Sequence, residues 1–217
     1  MPCLSVWQQF VQPWGMGTAS SFSRAADVFL DLVRGIRSDQ WETPGLGVWS
    51  VRSLVGHTAR ALITVCEYLE LDPAGQVDME TAGDYYGQIY LIYTNPEAIA
   101  QRGVDAGIAL GDEQVSRIEA LKERALALIL AQEPSRLVSL GGMGIPLEEY
   151  LRTRVFELVV HSIDIARATG QEARFDPDLI EESAALAAGI AARKGDGEQV
   201  LMALTGRERL PEGFSVV

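Results

Sequence analysis

Apolar residues recur every three or four positions along most of this chain, and strict two-residue alternation is almost absent. From Ser20 to about Ser38, Phe22, Ala26, Phe29, Val33 and Ile36 share one side of a helix, while Arg24, Asp27, Asp31 and Arg34 fall on other faces. A break rich in Pro and Gly, ETPGLGVW, leads to Ser50, a suitable N-cap for a second helix. That helix runs through Val51, Leu54, Thr58, Leu62, Val65 and Leu69 and stops near Asp72 and Pro73. Clear periodicity returns from Asp112 to Gln132 through Val115, Ile118, Leu121, Ala125 and Leu128, and Pro134 marks the end of this third helix. A short extended piece at 136–145 with a Gly-Gly turn predicts a small hairpin. Pro146 then opens a fourth helix, with Glu148 and Glu149 at its positive end, that continues to Thr169 and stops at Gly170.

Weaker signals fill the rest. Within residues 74–110 the pattern predicts short helices at Tyr85 to Ile92 and Pro96 to Gly103. Two more segments follow Gly170, at Pro177 to Arg193 behind an N-cap at Asp176, and at about Asp196 to Thr205. The expectation is an all-α protein: an N-terminal arm at 1–19, a four-helix bundle at 20–170 and a short C-terminal helical extension at 171–217. No period of 20 to 50 residues repeats, which argues against a solenoid.

Composition narrows the function classes. The chain has 217 residues, 47% of them hydrophobic, enough to bury one substantial core. Its net charge of -12 is spread along the sequence and would repel phosphate backbones and anionic lipid surfaces, so neither nucleic acid nor membrane is an expected partner. The N-terminal stretch lacks a basic region and is interrupted by Pro13, which supports neither a signal peptide nor a spanning helix. Cys3 and Cys66 form no framework or ligand motif; a reducing, cytoplasmic setting fits.

Candidate chemistry concentrates on the fourth helix. In LEEYLRTRVFELVVHSIDIARATG, apolar side chains occupy nearly every direction after the first turn, so this helix should be largely buried. Tyr150, Arg154, Glu157, His161 and Asp164 are the exceptions, and their spacing places them within an arc of roughly 80°. Burying such a stripe without partners would cost a few kcal/mol per group, so it should face a cavity, a network or an ion. Glu157 and His161 stand one turn apart and can converge on one point about 2.0–2.2 Å from each, as zinc requires. His57, the only other histidine, flanks the buried face of the second helix between Leu54 and Ala61. Spacing alone leaves two readings open: a metal site, or two hydrogen-bonded core histidines.

The segments WSVRSLVGHTARAL at Trp49 to Leu62, RTRVFELVVHSIDIARATG at Arg152 to Gly170 and LTGRERLPEGFSV near the C-terminus closely resemble the mycothiol-dependent maleylpyruvate isomerase family, within the wider DinB-like bundle superfamily. The resemblance spans roughly residues 20 to 217 and implies a DinB-like four-helix bundle. It also implies a divalent metal, zinc first with nickel, iron or manganese as alternatives, held by His57, Glu157 and His161 with water in the remaining positions. Mycothiol is the implied cosubstrate and a small electrophile its partner, with a homodimer left open. The resemblance reaches the two-domain isomerase only through its bundle, and 47 residues follow Gly170 here. The expected chemistry is therefore S-transfer, or isomerisation of a small electrophile, using a low-molecular-weight thiol.

Three functional classes compete: the thiol-using metal enzyme, a non-catalytic protein that binds metal or a small molecule on the same fold, and metal-dependent hydrolysis. The last would need a general base, for which Asp164 is the sole candidate on that face. Among neighbouring residues, Arg154 could orient Glu157 or grip an anionic substrate, with an i, i+3 ion pair as the plainer account. Asp164 could accept an N-H from a ligating histidine or pair with Arg167 or Arg60. Arg102 could meet a thiol's carboxylate or the electrophile, or be solvated. Trp41, Trp49 and the tyrosines from 85 to 93 could line a pocket or fill the core, and Cys66 reads as packing.

Overall fold

The computed structural model describes residues 14–92, 95–133 and 135–216. Four helices form the frame: α1 (Trp14–Arg34), α2 (Val51–Leu69), α5 (Gln114–Leu130) and α6 (Leu147–Thr169). Each packs on two others in a closed ring, α1 on α6, α6 on α2, α2 on α5 and α5 on α1. This is the all-α four-helix bundle that the periodicity predicts. Phe22, Phe29, Leu54, Leu62, Ile118, Leu158 and Ile165 are fully buried in its centre, each stabilising the fold by about 1.5–3 kcal/mol.

Smaller elements fill the connections. The β1 (Pro44–Leu46) and β2 (Trp49–Ser50) strands pair antiparallel across the Pro/Gly-rich break, with Gly47 at a φ of 56° turning the chain between them. This hairpin leads straight into α2, whose first turn is capped by Ser50 accepting from the Ser53 amide, as the sequence predicts. The helices α3 (Ala82–Ile92) and α4 (Pro96–Ala109) follow; α4 lies along α2 and is six residues longer than its periodicity suggests. Gly56 and Gly107 make that closeness feasible, since a Cβ on Gly56 would come within 2.1 Å of the Gly107 nitrogen. After α5, β3 (Leu137–Leu140) and β4 (Met143–Pro146) form the expected hairpin. Pro146 closes that hairpin as well as preceding α6. Gly170, at a φ of 70°, ends α6 in the left-handed conformation.

Beyond it, α7 (Pro177–Lys194) packs on α6 and α3, and α8 (Gly197–Leu204) packs on α7. Two local expectations need correction. The first helix begins at Trp14 instead of near Ser20, so residues 14–19, placed in the arm, are helical; the remainder of that arm and Cys3 lie outside the described residues. Asp176 precedes α7 but makes no side-chain cap, because its carboxylate is bound by Arg24 at 2.7 Å. The β1–β2 hairpin carries no periodic pattern of its own, being too short and too rich in Pro and Gly to show alternation.

Candidate metal centre

Two ring helices and one outer helix meet at the site. His57 comes from the middle of α2, Glu157 and His161 from one face of α6, and Tyr86 reaches in from α3. One ligand atom from each of His57, Glu157 and His161 lies within 4.8 Å of the others, an arrangement able to hold one cation. Nε2 of His161 is 3.3 Å from Oε2 of Glu157. Two donors on one tetrahedral zinc, each about 2.0–2.1 Å from it, stand about 3.3–3.4 Å apart, so this edge already has a coordination spacing.

The α6 stripe is graded. Tyr150 is fully buried and Arg154 is 8% exposed, whereas the side chains of Glu157, His161 and Asp164 are 22%, 12% and 18% exposed. The inner end therefore belongs to the core, and the outer end opens toward solvent. Tyr150 donates to Oγ1 of Thr64 at 2.9 Å. Arg154 donates to the Tyr85 hydroxyl at 2.9 Å and to Oγ1 of Thr153 at 3.0 Å, with its guanidinium over the rings of Tyr85 and Tyr150. The anticipated i, i+3 ion pair between Arg154 and Glu157 does not form, because the guanidinium is turned toward α3 and the tyrosines. Glu157 instead accepts from the Tyr86 hydroxyl through Oε1 at 2.8 Å.

Asp164 sits where a histidine-orienting carboxylate is needed, its Oδ2 3.2 Å from Nδ1 of His161. That contact leaves Nε2 of His161 aimed at Glu157. The alternative pairings of Asp164 with Arg167 or Arg60 are not made. The indole of Trp49 stacks on the His57 ring with centroids 4.3 Å apart, and its Nε1 donates to the Ala100 carbonyl of α4 at 2.9 Å. Arg102 is not drawn into this cluster by the bond it donates, which runs from Nε to the Ala98 carbonyl of its own helix. Its neighbour Gly103 does touch the site: a Cβ there would lie 3.1 Å from the indole and 3.2 Å from Cβ of His57.

Protonation separates the two histidines. Burial, reinforced by positive charge on His161, lowers the His57 pKa to about 4, so this ring is neutral at neutral pH. Its Nδ1 is buried with no hydrogen-bond partner among the described residues. Burial also works against a charged His161, yet the hydrogen bonds to Asp164 and Glu157 outweigh it and hold its pKa well above the usual histidine range. Burial would raise the Glu157 pKa, and it is overcome by the hydrogen bond from His161 and by the charges of His161 and Arg154, leaving the carboxylate ionised. A neutral imidazole, an ionised carboxylate and an imidazole whose Nε2 is already directed by Asp164 make a donor set suited to zinc or a similar ion.

Trp49 and Tyr86 are the site residues that helix periodicity does not single out. Trp49 sits in an unrecognised strand, and Tyr86 lies in a run of tyrosines whose facing cannot be read from spacing; Tyr93 and the side chain of Tyr90 lie outside the described residues. Among the described residues no helix is long and apolar enough to cross a membrane. No curated protein and no solved structure matches the chain. Residues 22–166 match the family model described as mycothiol maleylpyruvate isomerase N-terminal domain, a span that holds His57, Glu157 and His161 together with all of α2 and α6 as far as Ala166. The chain belongs to the family of the mycothiol maleylpyruvate isomerase N-terminal domain.

Proposed function

We propose that this protein is a divalent-metal-dependent enzyme that uses a low-molecular-weight thiol, mycothiol or a close analogue, in S-transfer to a small electrophile or in its isomerisation. The observation that carries this reading is the convergence of His57, Glu157 and His161 as a group of three at the end of the α6 stripe that remains accessible to solvent. Structural zinc sites are normally closed by four protein ligands, whereas three leave a position for substrate. The description of the matching family supports a thiol as that substrate.

When bound, a divalent ion at these residues would favour the thiolate form of a thiol at neutral pH. The chain's own groups have distinct tasks. His57 is already neutral, and His161 would have to release its Nε2 proton to hold a cation, its Nδ1 proton staying directed at Asp164. Asp164 thus selects the ligating tautomer of His161 and has no need to act as a base. Trp49 covers one face of His57 and restricts rotation of its ring. Arg154, buried and without a carboxylate within ion-pair distance among the described residues, acts on Glu157 through its charge, which helps keep that carboxylate ionised. Arg102, beside the Gly103 contact with Trp49 and His57, is assigned to the thiol side of the site.

The test compares metal-loaded protein, metal-free protein and His57→Ala, each incubated with mycothiol and monochlorobimane. Metal-dependent acceleration lost in the variant supports the reading. Equal rates in all three samples, across several thiols and electrophiles, would replace it with a non-catalytic binding protein.

A further inference from the structure

Glu157 has two carboxylate oxygens, and the site treats them differently. Oε2 faces Nε2 of His161, the other candidate ligand on α6, at 3.3 Å. Oε1 faces the other way, toward Tyr86, whose hydroxyl is 2.8 Å from it and 3.3 Å from the Thr153 carbonyl. A phenol carries one proton, and the shorter contact to a charged acceptor takes it. Tyr86 is in turn fixed by its surroundings. It is 2% exposed, its ring packs edge-on against Phe156 at 5.5 Å and against Tyr85 at 5.0 Å, and it lies on α3, outside the ring of four helices.

Resting on the metal-site reading above, we propose that Tyr86 is a positioning residue that makes Glu157 a one-oxygen ligand. The consequence is a matter of counting donors. With Oε1 tied to Tyr86, the protein supplies three atoms, one each from His57, Glu157 and His161, and a tetrahedral ion keeps one position for a thiol sulfur. Were Oε1 free to turn inward, Glu157 could bind through both oxygens, raise the protein's share to four and compete with the thiol. The tyrosine therefore guards the open position without touching substrate. This places the specificity of the site partly on α3, an element with no ligand of its own.

Cobalt(II) substitution tests this, because its visible absorption is strong in four-coordinate sites and weak in five- or six-coordinate ones. Tyr86→Phe removes only the hydroxyl and keeps the ring that packs on Phe156. The expected result is that parent and variant each bind one cobalt per chain, while the variant's visible absorption falls several-fold and its apparent thiol affinity falls with it. A Tyr86→Phe protein whose cobalt spectrum and thiol response match the parent's overturns the proposal while leaving the metal site intact. A parent that binds no cobalt overturns the metal-site reading and this proposal together. A measurement on the parent alone guards against a variant that misfolds: infrared difference spectra between zinc-loaded and metal-free protein should show the wide carboxylate band separation of one-oxygen ligation. A narrow, two-oxygen separation contradicts the proposal.

Discussion

Trp49 and His57 lie stacked, ring centroids 4.3 Å apart and planes inclined by 30°. The indole is anchored by the Ala100 carbonyl, so α4 holds the tryptophan and the tryptophan holds His57. Gly103 sets the clearance, because a Cβ there would crowd both the indole and Cβ of His57. Gly103→Ala should therefore shift the Trp49 contribution to fluorescence emission and weaken zinc binding by about 10–100-fold, the range typical for disturbing groups that orient metal ligands. Competition with a chromophoric chelator measures it. Unchanged affinity would mean that His57 is held by something other than this stack.

Protonation of the site's residues makes the stability of the protein depend on pH. In the metal-free protein the His161 pKa is raised, so its contribution to stability is fully present below about pH 6.5 and is lost as pH climbs through its elevated folded value. The His57 pKa is depressed to about 4, so stability falls as pH drops below about 6.5 toward that value, and protonation of Glu157 adds to the loss at still lower pH. These groups together place the stability maximum of the metal-free form near pH 6.5, by order of magnitude. Zinc requires His161 without its Nε2 proton, and the rise in Tm on adding zinc should be larger at about pH 8 than at about pH 6. A larger rise at the lower pH would contradict the protonation states described here.

Tyr150 supplies a contrast within the same stripe. Its hydroxyl bonds Thr64, which itself donates to the Arg60 carbonyl and so stays satisfied if the tyrosine hydroxyl is lost. Tyr150→Phe should cost about 0.5–1.5 kcal/mol in chemical denaturation and leave zinc affinity unchanged. A tenfold or greater loss of affinity would show that the inner end of α6 is coupled to the ligands.

Legibility in the sequence followed the physics of each element. Long helices announce themselves because one apolar face must meet the core at 3.6-residue spacing, as Leu54, Leu62 and Leu69 do on α2 and Leu151, Leu158 and Ile165 do on α6. The same reasoning isolates the α6 stripe, since Glu157 and His161 are polar on a face that is otherwise buried. Spacing cannot show which partner turns toward which. Arg154 pairs with Tyr85 of α3 and not with Glu157 three residues away on its own helix. Trp49 and Tyr86 become site residues only through tertiary contacts, one from a two-residue strand and one from α3, whose pattern is too short to fix its facing.

The central claim is that His57, Glu157 and His161 act together as the ligands of one cation, and elemental analysis tests it most directly. Parent protein and His161→Ala are each loaded with zinc, passed through a desalting column and measured for metal per chain. Two remaining ligands seldom hold zinc tightly. The account predicts about one zinc per parent chain and almost none in the variant, both proteins retaining the same helical circular dichroism. A folded His161→Ala protein that keeps the parent's full stoichiometry, or a folded parent that retains no metal, would contradict it.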